Sequence, residues 1–284
     1  MKSILIPVDF SDCSFSASKY AVEISKITNA KLVFFHSYFL PVSGQEIYLS
    51  PEIIEEQEKT VLTKLMNFST KVIQSVNESS TLVCLHVTMP GFLTNYISDL
   101  ISEYSVDMIV MGTTGKSGIL SKIFIGSNAN NVVQMSSIPV LVVPEKAVFK
   151  PFQKIVFATT LQEIKDLNII YPLMELSWWT KFEIHFIVVV PDEKTIPTEE
   201  QLKEYMALDS VFKHIPHFLE VTEDKNIIHA LESYVQNIEA DLLVTIPHKH
   251  GLADKIFQKS ITSEMVFHAY LPILCLKPDA KDAV

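Results

Sequence analysis

Four of the seven glycines in this 284-residue chain, Gly112, Gly115, Gly118 and Gly126, fall within one stretch of fifteen residues. Glycine lets a backbone turn through positive φ and approach a ligand closely, and successive amides in such a loop form an anion-binding concavity. A helix starting near Gly126-Ser127-Asn128 adds free N–H donors and the positive end of its dipole. This is chemistry for holding phosphate. The chain has no arginine; all 23 of its basic residues are lysine. Phosphate must therefore be held by amides, hydroxyls, lysine or a bridging metal, without a bidentate guanidinium. The spacing is not that of a P-loop, which needs a glycine where Val110 stands. Nor is it the Gly-x-Gly-x-x-Gly fingerprint, which belongs after the first strand, where the chain reads Pro7-Val8-Asp9-Phe10-Ser11.

The elements that position this loop are legible as apolar runs and helical spacings. Strands are expected at 4–8, 32–35, 82–87, 108–111 and 140–143, separated by helices at about 15–27, 51–76, 92–104 and 128–135. Ser11 and Asp12 offer N-cap chemistry to the first helix, and Pro51 followed by Glu55, Glu56 and Glu58 suits a helix start with a solvated face. The pattern then repeats. Ile4–Phe10 is echoed by Ile155–Leu161, Asp107–Met111 by Asp241–Thr245, and Ile138–Val143 by Leu271–Leu276. Strands of the second copy are expected near 154–159, 183–190, 217–221, 241–245 and 273–276. The fold class is therefore α/β, with two tandem doubly wound parallel five-stranded sheets. Residues 1–146 and 151–284 are the expected domains, joined by a short linker around Pro144–Pro151 that holds them together.

The Pro7-Val8-Asp9-Phe10-Ser11 strand end, the glycine loop after the fourth strand and the closing Pro139-Val140-Leu141-Val142-Val143 together resemble the universal stress protein family. Nucleotide-binding members of that family carry Gly-x2-Gly-x9-Gly-Ser/Thr. Here ten residues, 116–125, separate Gly115 from Gly126, so one residue must bulge. The resemblance implies an adenine-nucleotide (ATP) site. Asp9 would lie near adenine and ribose, and Pro7, Val8 and Ser37 would line the base pocket. Gly112 and Gly115 would let the loop wrap the ribose and phosphates, Gly126, Ser127 and Asn128 would bind phosphate, and Met111 would belong to the same nucleotide-binding set. Mg²⁺ bridging the phosphates is compatible with this, although the sequence shows no dedicated ligand cluster. The family also implies pairing of domains through their final strands, so that the tandem resembles an internal dimer; a homodimer of the whole chain stays open.

The second copy lacks these residues. Thr160 stands at the Asp9 position, Ile246 at Gly112, Lys249 at Gly115 and Lys259 at Gly126. No nucleotide is expected there by the family's mode. His248-Lys249-His250 reads as a solvated loop, and Trp178-Trp179 as packing rather than an interaction patch. Cys13, Cys84 and Cys275 lack metal spacing and read as reduced structural residues. A net charge of −10 argues against nucleic acid, no apolar run is long enough for a membrane helix, and the N-terminus lacks a secretory pattern, so a cytoplasmic protein is expected. With no nucleophile–base pair, the reading is a nucleotide-binding sensor or regulator of stress responses with no or very slow ATP hydrolysis. The alternative is an interaction module that binds no nucleotide.

Overall fold

The computed structural model describes residues 1–40, 51–76, 82–113, 127–161, 167–190, 198–247 and 270–277. In the first half, β1 (Ser3–Pro7), β2 (Lys31–Tyr38), β3 (Cys84–Pro90), β4 (Met108–Gly112) and β5 (Val140–Val143) alternate with α1 (Asp12–Thr28), α2 (Pro51–Ser75), α3 (Ile97–Glu103) and α4 (Ser127–Met135). In the second half, β6 (Lys154–Ala158), β7 (Glu183–Val190), β8 (His217–Glu223), β9 (Leu242–Thr245) and β10 (Ile273–Cys275) alternate with α5 (Tyr171–Leu176), α6 (Glu199–Phe212) and α7 (Ile227–Asn237).

The two expected five-stranded sheets are the halves of one ten-stranded sheet, in the order β3-β2-β1-β4-β5-β10-β9-β6-β7-β8. Pairing within each half is parallel. The halves meet where β5 and β10 pair antiparallel, with Val142 opposite Ile273, Leu141 opposite Leu274 and Val140 opposite Cys275. Each final strand thereby covers the edge that the other would otherwise leave open.

Successive strand side chains go to opposite faces. Ile4, Ile6 and Val8 join one core layer, with buried residues of α1, α2, α5 and α6. Leu5 joins the other layer, with α3, α4 and α7. Helix α1 starts as its sequence predicts: Ser11 is the N-cap and its side chain accepts from the Ser14 amide. It stops at Asn29, whose φ of 57° is the left-handed cap and whose N–H bonds to Ser25 O. Helix α2 buries Val61, Leu65, Ser69 and Val72 at helical spacing and exposes Glu55, Glu56 and Glu58.

Two local expectations shift. The helix expected over 92–104 is a 3₁₀ turn, Leu93–Asn95, followed by α3. The break falls at Tyr96, whose hydroxyl donates to Pro90 O at 2.5 Å. Strand β2 runs on to Tyr38 because β3 pairs with it over the whole length from Leu32 to Tyr38.

Candidate functional site

In a parallel sheet wound in both directions, ligands sit at the carboxyl ends of the strands where the winding reverses. In the first half that point lies between β1 and β4, which are neighbours in the sheet. Pro7 closes β1 opposite Phe35, and Gly112 closes β4 opposite Val143. Ser37 lies one strand away near the end of β2, opposite Met89 of β3. Helix α4 starts at Ser127 and Asn128, both exposed, and buries Ala129, Val132 and Val133 beneath them. The same rim therefore carries Pro7, Val8, Asp9, Ser37, Met111 and Gly112. Gly115, Gly118 and Gly126 lie outside the described residues.

Asp9 is half-buried and has a structural task. Its Oδ1 accepts from the Ser11 amide at 3.0 Å and the Ser11 hydroxyl at 2.5 Å. Ser11 in turn caps α1 by accepting from the Ser14 amide at 3.1 Å. Between them Phe10 takes a left-handed φ of 62°, an uncommon conformation for an aromatic residue. It turns the Phe10 ring onto His36 at 4.4 Å and edge-on to Phe68 at 5.6 Å, and the Lys64 ammonium sits 4.1 Å over its face. His36 Nδ1 donates to Val8 O at 2.6 Å, and the Val8 amide donates to Phe35 O. The backbone leading into Asp9 is thus held by β2 through both the amide and the carbonyl of Val8.

Gly112 differs from its sequence reading. It does not take the left-handed φ that glycine permits. It is small because α1 lies on it: a Cβ there would meet Cys13 Sγ at 2.8 Å and the Cys13 carbonyl carbon at 3.0 Å. Cys13 Sγ also lies 3.5 Å from Thr113 Oγ1 and 3.6 Å from Val143 O. The Thr113 amide donates to Val143 O at 3.1 Å. Thr113 and Phe10 were not singled out from the sequence, and Cys13 was read there only as a structural thiol with no place beside the site. Their signal was indirect: a glycine closing a buried strand implies a backbone pressed against it.

The second half repeats the frame and changes the groups. Leu161, at the Phe10 position, keeps the left-handed turn with φ 54°. Thr159 Oγ1 accepts the Leu161 amide at 3.0 Å, a hydroxyl doing locally what the Asp9 carboxylate does for Ser11. Ile246, at the Gly112 position, is fully buried in the core. His248, Lys249, His250 and Lys259 lie outside the described residues. Trp178 does not pack as expected: it is 74% exposed in the turn after α5, beside Trp179 at 40%.

Residues 1–144 match the universal stress protein family. The chain belongs to that family. A 149-residue stretch is 35% identical to universal stress protein MJ0531 of Methanocaldococcus jannaschii, covering 50% of this chain and 81% of that one. A 158-residue stretch is 28% identical to universal stress protein MJ0577 of the same organism, covering 51% and 96%. Among solved structures, a universal stress protein from Archaeoglobus fulgidus is similar with a TM-score of 0.69 at 18% identity, over 99% of this chain and 97% of that one. That likeness spans both halves of the sheet and concerns the fold. Among the described residues, no helix is long and apolar enough to cross a membrane, and no group of three or more His, Cys, Asp or Glu could hold a metal.

Proposed function

We propose that residues 1–146 form an adenine-nucleotide-binding domain, with ATP as the leading ligand, and that residues 151–284 form a companion domain that binds none by this mode. The observation that carries the reading is the placement of Asp9, two residues past the end of β1, and of Gly112, the last residue of β4, at the carboxyl ends of the two neighbouring strands where the winding reverses. An ionised carboxylate offers about four acceptor positions, so bracing Ser11 is compatible with receiving a ribose hydroxyl as well. Ser127 and Asn128 at the start of α4, with the Gly115 and Gly126 backbone, would receive phosphate through amides and hydroxyls, and Mg²⁺ could bridge the phosphates. Without an arginine to stabilise transition-state charge, such a site favours holding a nucleotide over hydrolysing it. The protein then acts as a nucleotide-dependent sensor or regulator in stress responses.

The test is mass spectrometry of small molecules released from the purified protein, with a thermal shift in ATP and Mg²⁺ alongside. An adenine nucleotide at about one per chain and an ATP-dependent rise in Tm, linked to affinity by mass action, are the expected results. Empty protein with no shift overturns the reading. It would favour the second reading, an interaction module, for which exposed Trp178 and Tyr171 on the α5 side are the supporting surface. Because β10 covers the edge of β5, a homodimer of this chain would need a different surface.

A further inference from the structure

One face of α1 touches both the candidate site and the connection between the halves. Cys13, in its first turn, lies against Gly112, Thr113 and the carbonyl of Val143. The next turn places Ser16 Oγ 2.8 Å from Glu145 O, to which it donates. A turn further, the Tyr20 hydroxyl donates to Val148 O at 3.0 Å, and its ring packs edge-on to Phe149 at 5.2 Å. Positions 13, 16 and 20 follow the i, i+3, i+7 spacing of a single helix face. The segment 144–150 is thus laid along α1, with its start tied to the site through the bond from the Thr113 amide to Val143 O.

The far end of the segment is tied to the second half. Lys150 Nζ forms an ion pair with Asp241 Oδ1. Asp241 Oδ2 accepts the amides of Gln153 at 2.8 Å and Lys154 at 3.0 Å, at the very start of β6. Asp107 clamps the amides of Lys2 and Ser3 at the start of β1 in the same way. In the second half, Lys150 connects that clamp to the linker. Asp241 is buried while the Lys150 side chain is 64% exposed, so the pair reaches from solvent into the core and salt screens it in part.

We propose that α1 is the transmission element between the halves: what happens at Asp9 and the Gly112–Thr113 turn sets how firmly segment 144–150 is seated on Cys13, Ser16 and Tyr20, and, through Lys150 and Asp241, how firmly the start of β6 is held. The ligand's identity rests on the nucleotide reading above; the wiring does not. A ligand shifts such an equilibrium only by its differential affinity for the two states. Here the difference comes from both ends of Cys13's contact: Asp9 braces the cap of the helix that carries Cys13, and Thr113, against Cys13, is bonded to Val143 at the start of the linker. A ligand that immobilises both favours the seated linker. The second half, with no nucleotide of its own, then presents the occupancy of the first half to whatever recognises it.

The test is hydrogen–deuterium exchange on the full chain, as wild type, Asp9→Ala, the Tyr20→Phe/Lys150→Met double variant and the triple variant, each without ligand and with ATP and Mg²⁺. In ligand-free protein, Asp9→Ala should speed exchange of peptides covering 144–158 by about threefold or more, within the coupling energies of residues that share a network. In the double-variant background, Asp9→Ala should still loosen the first turn of α1 but leave the start of β6 unchanged. ATP should slow the same peptides in wild type. The proposal falls if Asp9→Ala loosens α1 while residues 144–158 keep wild-type rates, or if its effect on β6 survives in the double variant. Transmission from Asp9→Ala without any ATP protection upholds the wiring and rejects ATP as the ligand, so the two failures are distinguishable.

Discussion

A Cβ on Gly112 would stand 2.8 Å from the sulfur of Cys13 and 3.0 Å from its carbonyl carbon. The glycine that closes β4 is therefore a packing residue as well as the first residue of the candidate loop. Gly112→Ala should destabilise the ligand-free protein by about 1–3 kcal/mol, the usual cost of overpacking a close contact. Calorimetry without nucleotide checks this. An unchanged Tm would show that the helix can retreat from the strand at no cost.

Asp9 braces Ser11, and two substitutions separate that task from the proposed binding role. Asp9→Asn keeps an acceptor for the Ser11 amide but removes the charge. It should leave Tm nearly unchanged while weakening ATP binding by about tenfold, in line with a charge-assisted hydrogen bond. Asp9→Ala should lose binding and also about 0.5–2 kcal/mol of stability, because it unbraces the N-cap of α1. Titration calorimetry and thermal melts on both variants separate the roles. Equal melts for the two would mean that the brace does not matter.

The halves should respond unequally. Gly115→Val and Gly126→Val are expected to abolish nucleotide binding with the fold kept, and Thr160→Ala to leave affinity at the wild-type value. Binding measured by ATP titration decides this. A large loss in Thr160→Ala would bring the second half into the site.

Acid should weaken the packing of α2 on the sheet. His86 Nε2 donates to Ser69 Oγ at 2.7 Å, since that hydroxyl itself donates to Met66 O, and the ring stacks on Phe34. Burial holds the His86 pKa below its ordinary value. The unfolded chain therefore binds the proton first, so this contribution is complete above the ordinary histidine range and is lost as pH falls through the lowered folded value. His86→Gln should flatten that part of the Tm-versus-pH curve. His229 contributes with the opposite sign, because its side-chain hydrogen bond to Asp224 and that carboxylate's charge raise its pKa. The wild-type minus variant difference isolates His86. An unaltered acid limb would remove His86 from the account.

The three thiols should differ in reactivity. Cys275 is fully buried and its pKa is pushed up to about 12, and Cys13 is buried under Gly112. Cys84 is only partly buried, with its pKa also raised by burial. A thiol reagent at neutral pH should modify Cys84 first and reach Cys13 and Cys275 only through unfolding. Peptide mapping of the labelled protein reads the order. Early labelling of Cys275 would contradict the closed β5–β10 junction.

Most strand positions were legible because parallel strands buried on both faces appear as compact apolar runs, as Ile4–Val8 and Val140–Val143 do. The N-cap at Ser11 and the solvated face of α2 were legible for the same reason: both depend on residues within a turn of one another. Trp178 was misread because neighbours in sequence cannot say which way a side chain leaves the turn after a short helix.

The order of elements, their repetition, the absence of arginine and the clustering of glycines after β4 were determined by the sequence itself, since each is local or compositional. The tertiary structure alone decided that Gly112 faces Cys13, that Asp9 braces the cap of α1, and that α1 carries the linker to Asp241. It also decided that the two sheets share one hydrogen-bonded junction at β5 and β10. These contacts join residues far apart in the chain, and they exist only once long apolar strands have been brought together and their helices laid over them.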